Sequence, residues 1–573
     1  MKSPLLPPSP VERHVPLDLE DRLLSVDSRK VPLFRFDILV VGTGAAGSSA
    51  ALAAAEAGAE VAILTKADPE ETNTLFAQGG MAAVLAPEDS LEQHVADTLR
   101  VGYGLAEPEV VEAVVRGGPA AVKRLLGWGA RFDRRGDGEI DLSREGGHTC
   151  HRVVHARGDA TGREIQEAVL RALGRHPRIT LFPHTFLIDL LHSPEGRVVG
   201  ALASTHGGDL AVFAGGQTIL ATGGAGQLFR ETTNPAIATG DGVAAGWRAG
   251  AILRDLEFVQ FHPTLLYIAG AARVLISEVV RGHGGRLVDR HGVRFMPEHH
   301  PDAELAPRDV VARAIFERMV QTQDTSVYLD LSALDEDPHR LFPAISRICR
   351  FFGIDIARDP VPVRPGAHYM VGGLEVDVDG RTSVTGLWAV GECASSGLHG
   401  ANRMGSNSLL EGLVLGTRAG ETAATEAVDR GLQDFEVRPP RDREVPPAGM
   451  QVNIEDVTYS LKSLLWRQLG IERDGERIRD VLDKIALWTR AVSALAPPQP
   501  RTWELCNMLT VARLTAISAL VREESRGSHY RTDHPAPDPA WVAHTRLVPR
   551  FSGDRLEGVD VSRAPVGASA PAV

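Results

Sequence analysis

Cysteine is scarce in this chain, with four in 573 residues, at positions 150, 349, 393 and 506. That is too few for a disulfide scaffold, and the spacings match no metal-ligand pattern, so a reducing, cytoplasmic setting is expected and a metal centre is not. Positive charge is also in deficit. Sixty-one Lys and Arg stand against 74 Asp and Glu, a formal net charge of −13, and no basic tract is dense enough to offer a nucleic-acid surface. No charged-then-apolar leader and no unbroken apolar run of eighteen residues is visible, so neither secretion nor a membrane span is expected. Internal repeats are missing too. What is present is a globular composition, 43% hydrophobic and 24% charged, with 58 Gly and 36 Pro that suit tight loops around a ligand better than a bundle or coiled coil. The length allows two to four domains.

The segment from Asp37 to Lys66, DILVVGTGAAGSSAALAAAEAGAEVAILTK, reads as strand, glycine turn, helix and second strand. Gly42, Gly44 and Gly47 have the dinucleotide fingerprint spacing: the first for the tight turn, the second for close backbone approach to a pyrophosphate, the third for helix–strand packing. The following helix N-terminus presents unpaired N–H groups and partial positive charge to phosphate. A nucleotide site usually ends its second strand in Asp or Glu for the ribose hydroxyls. This one ends in Thr65-Lys66, and a basic residue there could also suit a phosphorylated ribose.

Strand-like segments recur at 179–182, 198–202 and 217–222, the last running into Gly223-Gly224-Ala225-Gly226. Thr239 to Trp247 reads as a capped helix start. From 254 to 367 the pattern changes to histidine, arginine and short mixed elements, as an inserted second domain would. Strand character returns with GLEVDVDGRT and with GLWAVGECA at 386–394, which resembles a flavin-contacting strand. The expected organisation is a flexible N-terminal tail (1–34), an α/β Rossmann-like FAD-binding domain in two parts (35–253 and 368–433), the α+β capping domain between them, a linker (434–448), a helical domain (449–530) and an extended C-terminal tail (531–573). The helical domain is expected to pack and support.

Charged clusters in glycine-rich settings supply the candidate chemistry: Glu145 and His148 in REGGHTCH, His262 in FVQFHPT, Ser277 and Glu278 before RGHGG, Arg308 in APRD, His368 in HYMVGG and Arg403 in GANRMGSNS. Arginine pairs bidentately with a planar carboxylate, so two such pairings with histidine donors would fix a short dicarboxylic acid.

These strings, with NTLFAQGGMAAV, ILATGGAGQLF and GLHGANRMGSNSLLEGLV, resemble the L-aspartate oxidases, within the larger group of succinate dehydrogenase and fumarate reductase flavoprotein subunits. The resemblance spans about 36 to 530 and implies oxidation of L-aspartate to iminoaspartate by hydride transfer to FAD, reoxidation by O₂ or fumarate, and a place at the start of NAD synthesis, coupled to quinolinate synthase. A lysine-ended second strand is normal there. Asn73 stands where related dehydrogenases carry the histidine that bonds flavin covalently, so the FAD is expected to be non-covalent. The REGG context of Glu145 is that of the oxidase, where a carboxylate meets the substrate amine.

Carried over, the resemblance has Arg403 and His368 clamp one carboxylate and His262 and Ser277 the other, with Glu278 orienting Arg308 or the substrate and Arg308 transferring a proton. For the cofactor it implies Gly42, Gly44, Ala45, Ala46, Gly47 and Lys66 at the ADP half, Gln78, Gly79 and Gly80 at the flavin ring, Asp241 at the pyrophosphate, and Glu392 at a ribityl hydroxyl. Ser408 and Leu409 cap the ring, and Asn73, Thr74, Thr222 and Gly223 complete the contacts. A monomer is expected, since such a site is completed within one chain. The competing readings are a fumarate reductase or succinate dehydrogenase flavoprotein subunit and a flavin-binding protein without catalysis.

Overall fold

A computed structural model describes residues 13–17, 19, 22–24, 26–27, 30–158, 160–268, 274–428, 452–553 and 555–568. The expected linker at 434–448 lies outside them.

The central sheet has seven strands. Ile179–Phe182, Val61–Leu64, Leu33–Val41 and Leu210–Leu220 lie side by side and parallel, and Val198–Ser204 and Phe186–His192 continue the sheet antiparallel. The end of Leu210–Leu220 also pairs in parallel with the short strand Leu387–Ala389, Thr218 opposite Leu387. Ile38, Leu39, Val40, Val61, Ile63 and Leu64 are all buried. A parallel strand covered on both faces reads as a continuous apolar run rather than an alternation, and each such side chain contributes roughly 1.5–3 kcal/mol on burial. One cover is the helix Ala45–Glu56. The long helix Asn407–Val428 lies directly on it, because Gly416 and Gly420 face it; a Cβ on them would stand 2.4 Å from the Ala46 carbonyl oxygen and 2.1 Å from that of Ala50.

Between the two parts of this sheet the chain forms a four-stranded antiparallel sheet, Val259–Leu266, Val361–Met370, Val327–Asp330 and Arg286–Val288, backed by the helix Arg308–Thr322. Its core, around Leu287, Val311, Ile315, Val327 and Leu329, is a separate apolar cluster. The helices Ile454–Gln468, Gly475–Leu495 and Pro500–Val521 follow the periodicity of the sequence. They share one core with the central sheet, since Leu461, Ile478, Leu505 and Leu509 belong to the same cluster as Leu39 and Leu220. Pro500–Val521 is long and apolar enough to cross a membrane, but 78% of its apolar window is buried in the protein.

Three expectations are corrected. The segment 1–34 is not simply a flexible tail: Arg13–Pro16 is a strand, Leu17, Leu19 and Leu23 are buried, and the first nucleotide strand already begins at Leu33. Nor is 531–573 an extended tail. Ala543–Ser552 and Arg555–Pro565 form a hairpin inside a six-stranded sheet, with Arg13–Pro16 on its outer edge and Leu253–Arg254, Gly373–Glu375 and Ala394–Ser395 beyond it. Backbone pairing with the chain's other end stabilises both, and no local pattern announces it. Finally, the helix Asp241–Arg248 has no side-chain cap; Gly240, at φ 80°, makes the turn, and the Thr239 hydroxyl is spent on the Asp241 carboxylate at 3.0 Å.

Candidate active site

The C-terminal ends of four adjacent strands, at Val41, Leu64, Ala221 and Val390, open into one cavity of about 500 Å³, the place where open parallel sheets collect ligands. Gly42 makes the first turn at φ 116°, and a Cβ there would stand 2.2 Å from the Ala221 carbonyl oxygen. Gly44 opens the helix Ala45–Glu56, whose first N–H, on Ala45, is held by Thr74 Oγ1 at 3.0 Å. Of the expected cofactor residues, Gly42, Gly44, Ala45, Ala46, Lys66, Asn73, Thr74, Gln78, Thr222, Gly223, Asp241, Glu392, Ser408 and Leu409 line this cavity.

Gly47, Gly79 and Gly80 stand off it. Gly47 packs on the Gly42 carbonyl and Ala221, Gly79 faces the Glu145 carboxylate, and Gly80 lies against Val153 and Val154. Lys66 reaches the cavity but its ammonium is engaged by Thr239 Oγ1 (2.7 Å), Asp241 Oδ2 (2.7 Å) and Glu504 Oε1 (2.6 Å). Asn73 Nδ2 donates to Glu392 Oε2 at 2.8 Å, while Glu392 Oε1 accepts the Met370 N–H at 3.0 Å. The cradle fits a dinucleotide: a glycine turn that a side chain would fill, a helix start aimed inward, and a buried polar atom on the wall, Asn73 Oδ1, without a partner among the described residues.

His368 and Arg403 line the same cavity and connect it to a charged cluster. The His262 and His368 rings meet edge to face, centroids 5.2 Å apart. His262 Nδ1 accepts the Thr264 N–H at 3.2 Å, so its neutral ring carries the proton on Nε2; His368 Nδ1 is tied to the Thr233 hydroxyl at 2.9 Å. Arg308 begins its helix and donates Nε–H to Glu278 Oε2 at 2.7 Å. Gln260, on the strand that carries His262, offers Oε1 to both Arg308 and Arg403 and donates to the Arg403 carbonyl at 2.7 Å. Arg403 also donates to the Ser408 hydroxyl and lies 4.9 Å over the Tyr369 ring. Glu145 accepts from Ser406 Oγ at 2.8 Å, and Ser406 is held in the left-handed region at φ 63°. Gly405 passes between Glu145 and Arg308: its Cβ would lie 2.7 Å from the one and 3.0 Å from the other. Ser277 adjoins Glu278, with its Oγ accepting the Val279 N–H at 3.4 Å.

Burial sets the charges. It pushes Glu278 up, but the Arg308 and Arg281 guanidiniums outweigh it and hold the carboxyl at about 2. Glu145 is raised above the usual carboxylate range by burial, with Arg308 opposing and Glu278 reinforcing. Burial and then Arg308 bring Arg403 down to about 10. His262 and His368 are held well below the ordinary imidazole value by burial and the neighbouring arginines, so both stay neutral donors.

A match to the FAD binding domain family covers 37–409, and one to the fumarate reductase flavoprotein C-terminal family covers 458–570. The curated L-aspartate oxidase of Streptomyces coelicolor is 42% identical over 92% of this chain and 94% of its own length, and that of Mycobacterium tuberculosis 43% identical over 88% and 93%. The chain belongs to the L-aspartate oxidase family. Among solved structures, the FrdA chain of an E. coli quinol fumarate reductase variant superposes with a TM-score of 0.85 at 33% identity, covering 95% of this chain and 99% of that one. The family therefore sits within the fumarate reductase and succinate dehydrogenase flavoproteins, and FAD is its cofactor.

Four residues of this L-aspartate oxidase-family site escaped the sequence reading. Gln260, Arg281 and Tyr369 lie inside the motifs around His262, Glu278 and His368 without standing out from them, and Thr233 lies outside those motifs. Arg281 is buried, donates to the Glu304 carbonyl and stands 3.8 Å from Glu278.

Proposed function

We propose that this chain oxidises L-aspartate to iminoaspartate, with FAD held non-covalently, and that O₂ or fumarate takes up the two electrons, giving hydrogen peroxide or succinate. Bound FAD supplies the two-electron acceptor, and the protein supplies orientation and a site closed to water. The glycine turn at 42–47 and the walls at Asn73–Thr74, Thr222–Gly223, Asp241 and Glu392 are the residues to hold it. Asn73, whose amide is bonded to Glu392, offers no nucleophile for a covalent link.

Arg403 and His368 receive one substrate carboxylate, and His262 the other, with Ser277 beside it. Charge-assisted pairing from a forked guanidinium fixes the plane of a carboxylate, and the neutral imidazoles add directed N–H donors. Oxidation to the imine takes a hydride from Cα and a proton from the substrate nitrogen; Arg308 is the group that passes on that proton, and Glu278 holds its guanidinium in place from the side of Nε. Glu278, close to Arg281 as well, offers a charged route by which a proton leaves the pocket. The observation that carries the reading is Glu145, a buried carboxyl beside two arginines. A substrate of two carboxylates alone would gain nothing from a third acid, whereas the ammonium of an amino acid pairs with it. The fumarate reductase likeness supports fumarate as an acceptor, and a site assembled from one chain supports a monomer. Iminoaspartate is short-lived in water, which suits direct coupling to quinolinate synthase and a role in NAD synthesis.

The test is anaerobic reduction of the purified flavoprotein. L-Aspartate is expected to bleach the flavin absorbance and succinate not. Glu145→Gln is expected to lower the preference for L-aspartate over succinate by about a hundredfold, the scale of a lost buried pairing. Bleaching of the unaltered protein by succinate alone would overturn the reading in favour of a dicarboxylate dehydrogenase.

A further inference from the structure

The nucleotide fingerprint of this chain lacks the acid at the end of its second strand, and the structure shows where negative charge comes from instead. Lys66 lies between two carboxylates. Asp241 belongs to the cavity wall; Glu504 comes from the helix Pro500–Val521, 438 residues further along the chain. With Thr239 they accept all three N–H bonds that an ammonium can donate, so Lys66 has no proton left for a phosphate. The same helix makes two more approaches to this wall. Asn507 Nδ2 donates to the other oxygen of Asp241 at 2.8 Å, and Trp503 stacks at 5.9 Å on Phe186, a lining residue over which Lys66 is placed.

We propose that Glu504 is a cofactor-positioning residue: acting through Lys66, it supplies from the helical segment the carboxylate that the second strand lacks, and it holds the adenosine end of the cavity in its binding shape. Lys66 with two carboxylates carries a net negative charge, which suits the hydroxyls of an unphosphorylated ribose and disfavours a phosphorylated one. The helical segment is thereby part of the cofactor site, and not only a support for it.

The proposal rests on the reading of this cavity as the FAD site, and the experiment separates the two. Full-length protein stripped of flavin is titrated with FAD, following the quenching of flavin fluorescence, and melting temperatures are taken with and without FAD. Glu504→Gln, which keeps shape and removes charge, is expected to raise the Kd for FAD about tenfold, as loss of a charge-assisted bond does, while leaving the melting temperature of the stripped protein unchanged. Lys66→Met should raise the Kd too, and the double variant should be no weaker than Lys66→Met alone. Glu455→Gln, which breaks the exposed 2.8 Å pair to Arg501 at the start of the same helix, should bind FAD normally. An unchanged Kd in Glu504→Gln, additive losses in the double variant, or an equal fall in stability of the stripped protein would each overturn the proposal. Failure of the unaltered protein to bind FAD would overturn the cofactor reading itself.

Discussion

Arg308 and Arg403 donate to one oxygen: each guanidinium reaches Gln260 Oε1, at 3.3 Å in both cases. Two cations are thus held together in a buried pocket, and a single neutral acceptor links them. Like charges so placed raise each other's energy, and a substrate with two carboxylates relieves it. The pocket is prepared for an anion before one arrives.

The two arginines should separate in kinetics. Arg308→Lys keeps charge but loses the fork that Glu278 holds, and kcat is expected to fall by about 10²–10⁴ with little change in KM, the usual weight of a proton-transfer group. Arg403→Lys is expected to raise KM for L-aspartate by about tenfold or more. Steady-state assays at saturating FAD check both, and equal effects of the two substitutions on KM alone would refute the assignment.

Thr233 bonds His368 Nδ1 and orients the ring. Thr233→Val should raise KM about fivefold, the cost of one neutral hydrogen bond, while Thr233→Ser should behave like the unaltered protein. The tautomer of His368, read by nitrogen NMR, should change in the valine variant only.

Stability should fall as the solution is acidified. Burial holds His94 and His148 at about 4, and His262 and His368 are depressed as well, so these rings are neutral in the folded protein. In the unfolded chain they take up protons below about 6.5. The unfolded state therefore binds more protons from that pH down to the folded value, and stability is lost as pH falls through this window. Melting temperature measured from pH 7 to 4.5 should show it. His148→Asn should make the dependence shallower by about one proton.

Much of the fold was legible because it is local. The apolar runs at 38–41 and 61–64, the three glycines between them and the periodicity of the last helices each sit within a few turns of chain. The terminal strands were not, because Arg13–Pro16 and Arg555–Pro565 stabilise one another across nearly the whole sequence. The site divides in the same way. Glu145, His262, Glu278, Arg308, His368 and Arg403 were nameable as ionisable residues in short distinctive motifs. Gln260 and Thr233 are common polar residues whose importance comes only from what the fold sets opposite them, and Glu504 lies in a helix that reads as core packing.

The short strand Leu387–Ala389 also sets a timetable. It borders Leu210–Leu220, and its neighbours Val390 to Glu392 close one wall of the cavity, yet the wall at the glycine turn is begun at Val41. During synthesis at about 5–20 residues per second, roughly twenty to seventy seconds separate the two walls. For that interval a glycine turn, a helix start and half a sheet wait with an open flank. Capture of the flavin is therefore a late step in the life of the nascent chain, and a shortage of cofactor would be felt first by newly made molecules rather than by finished ones.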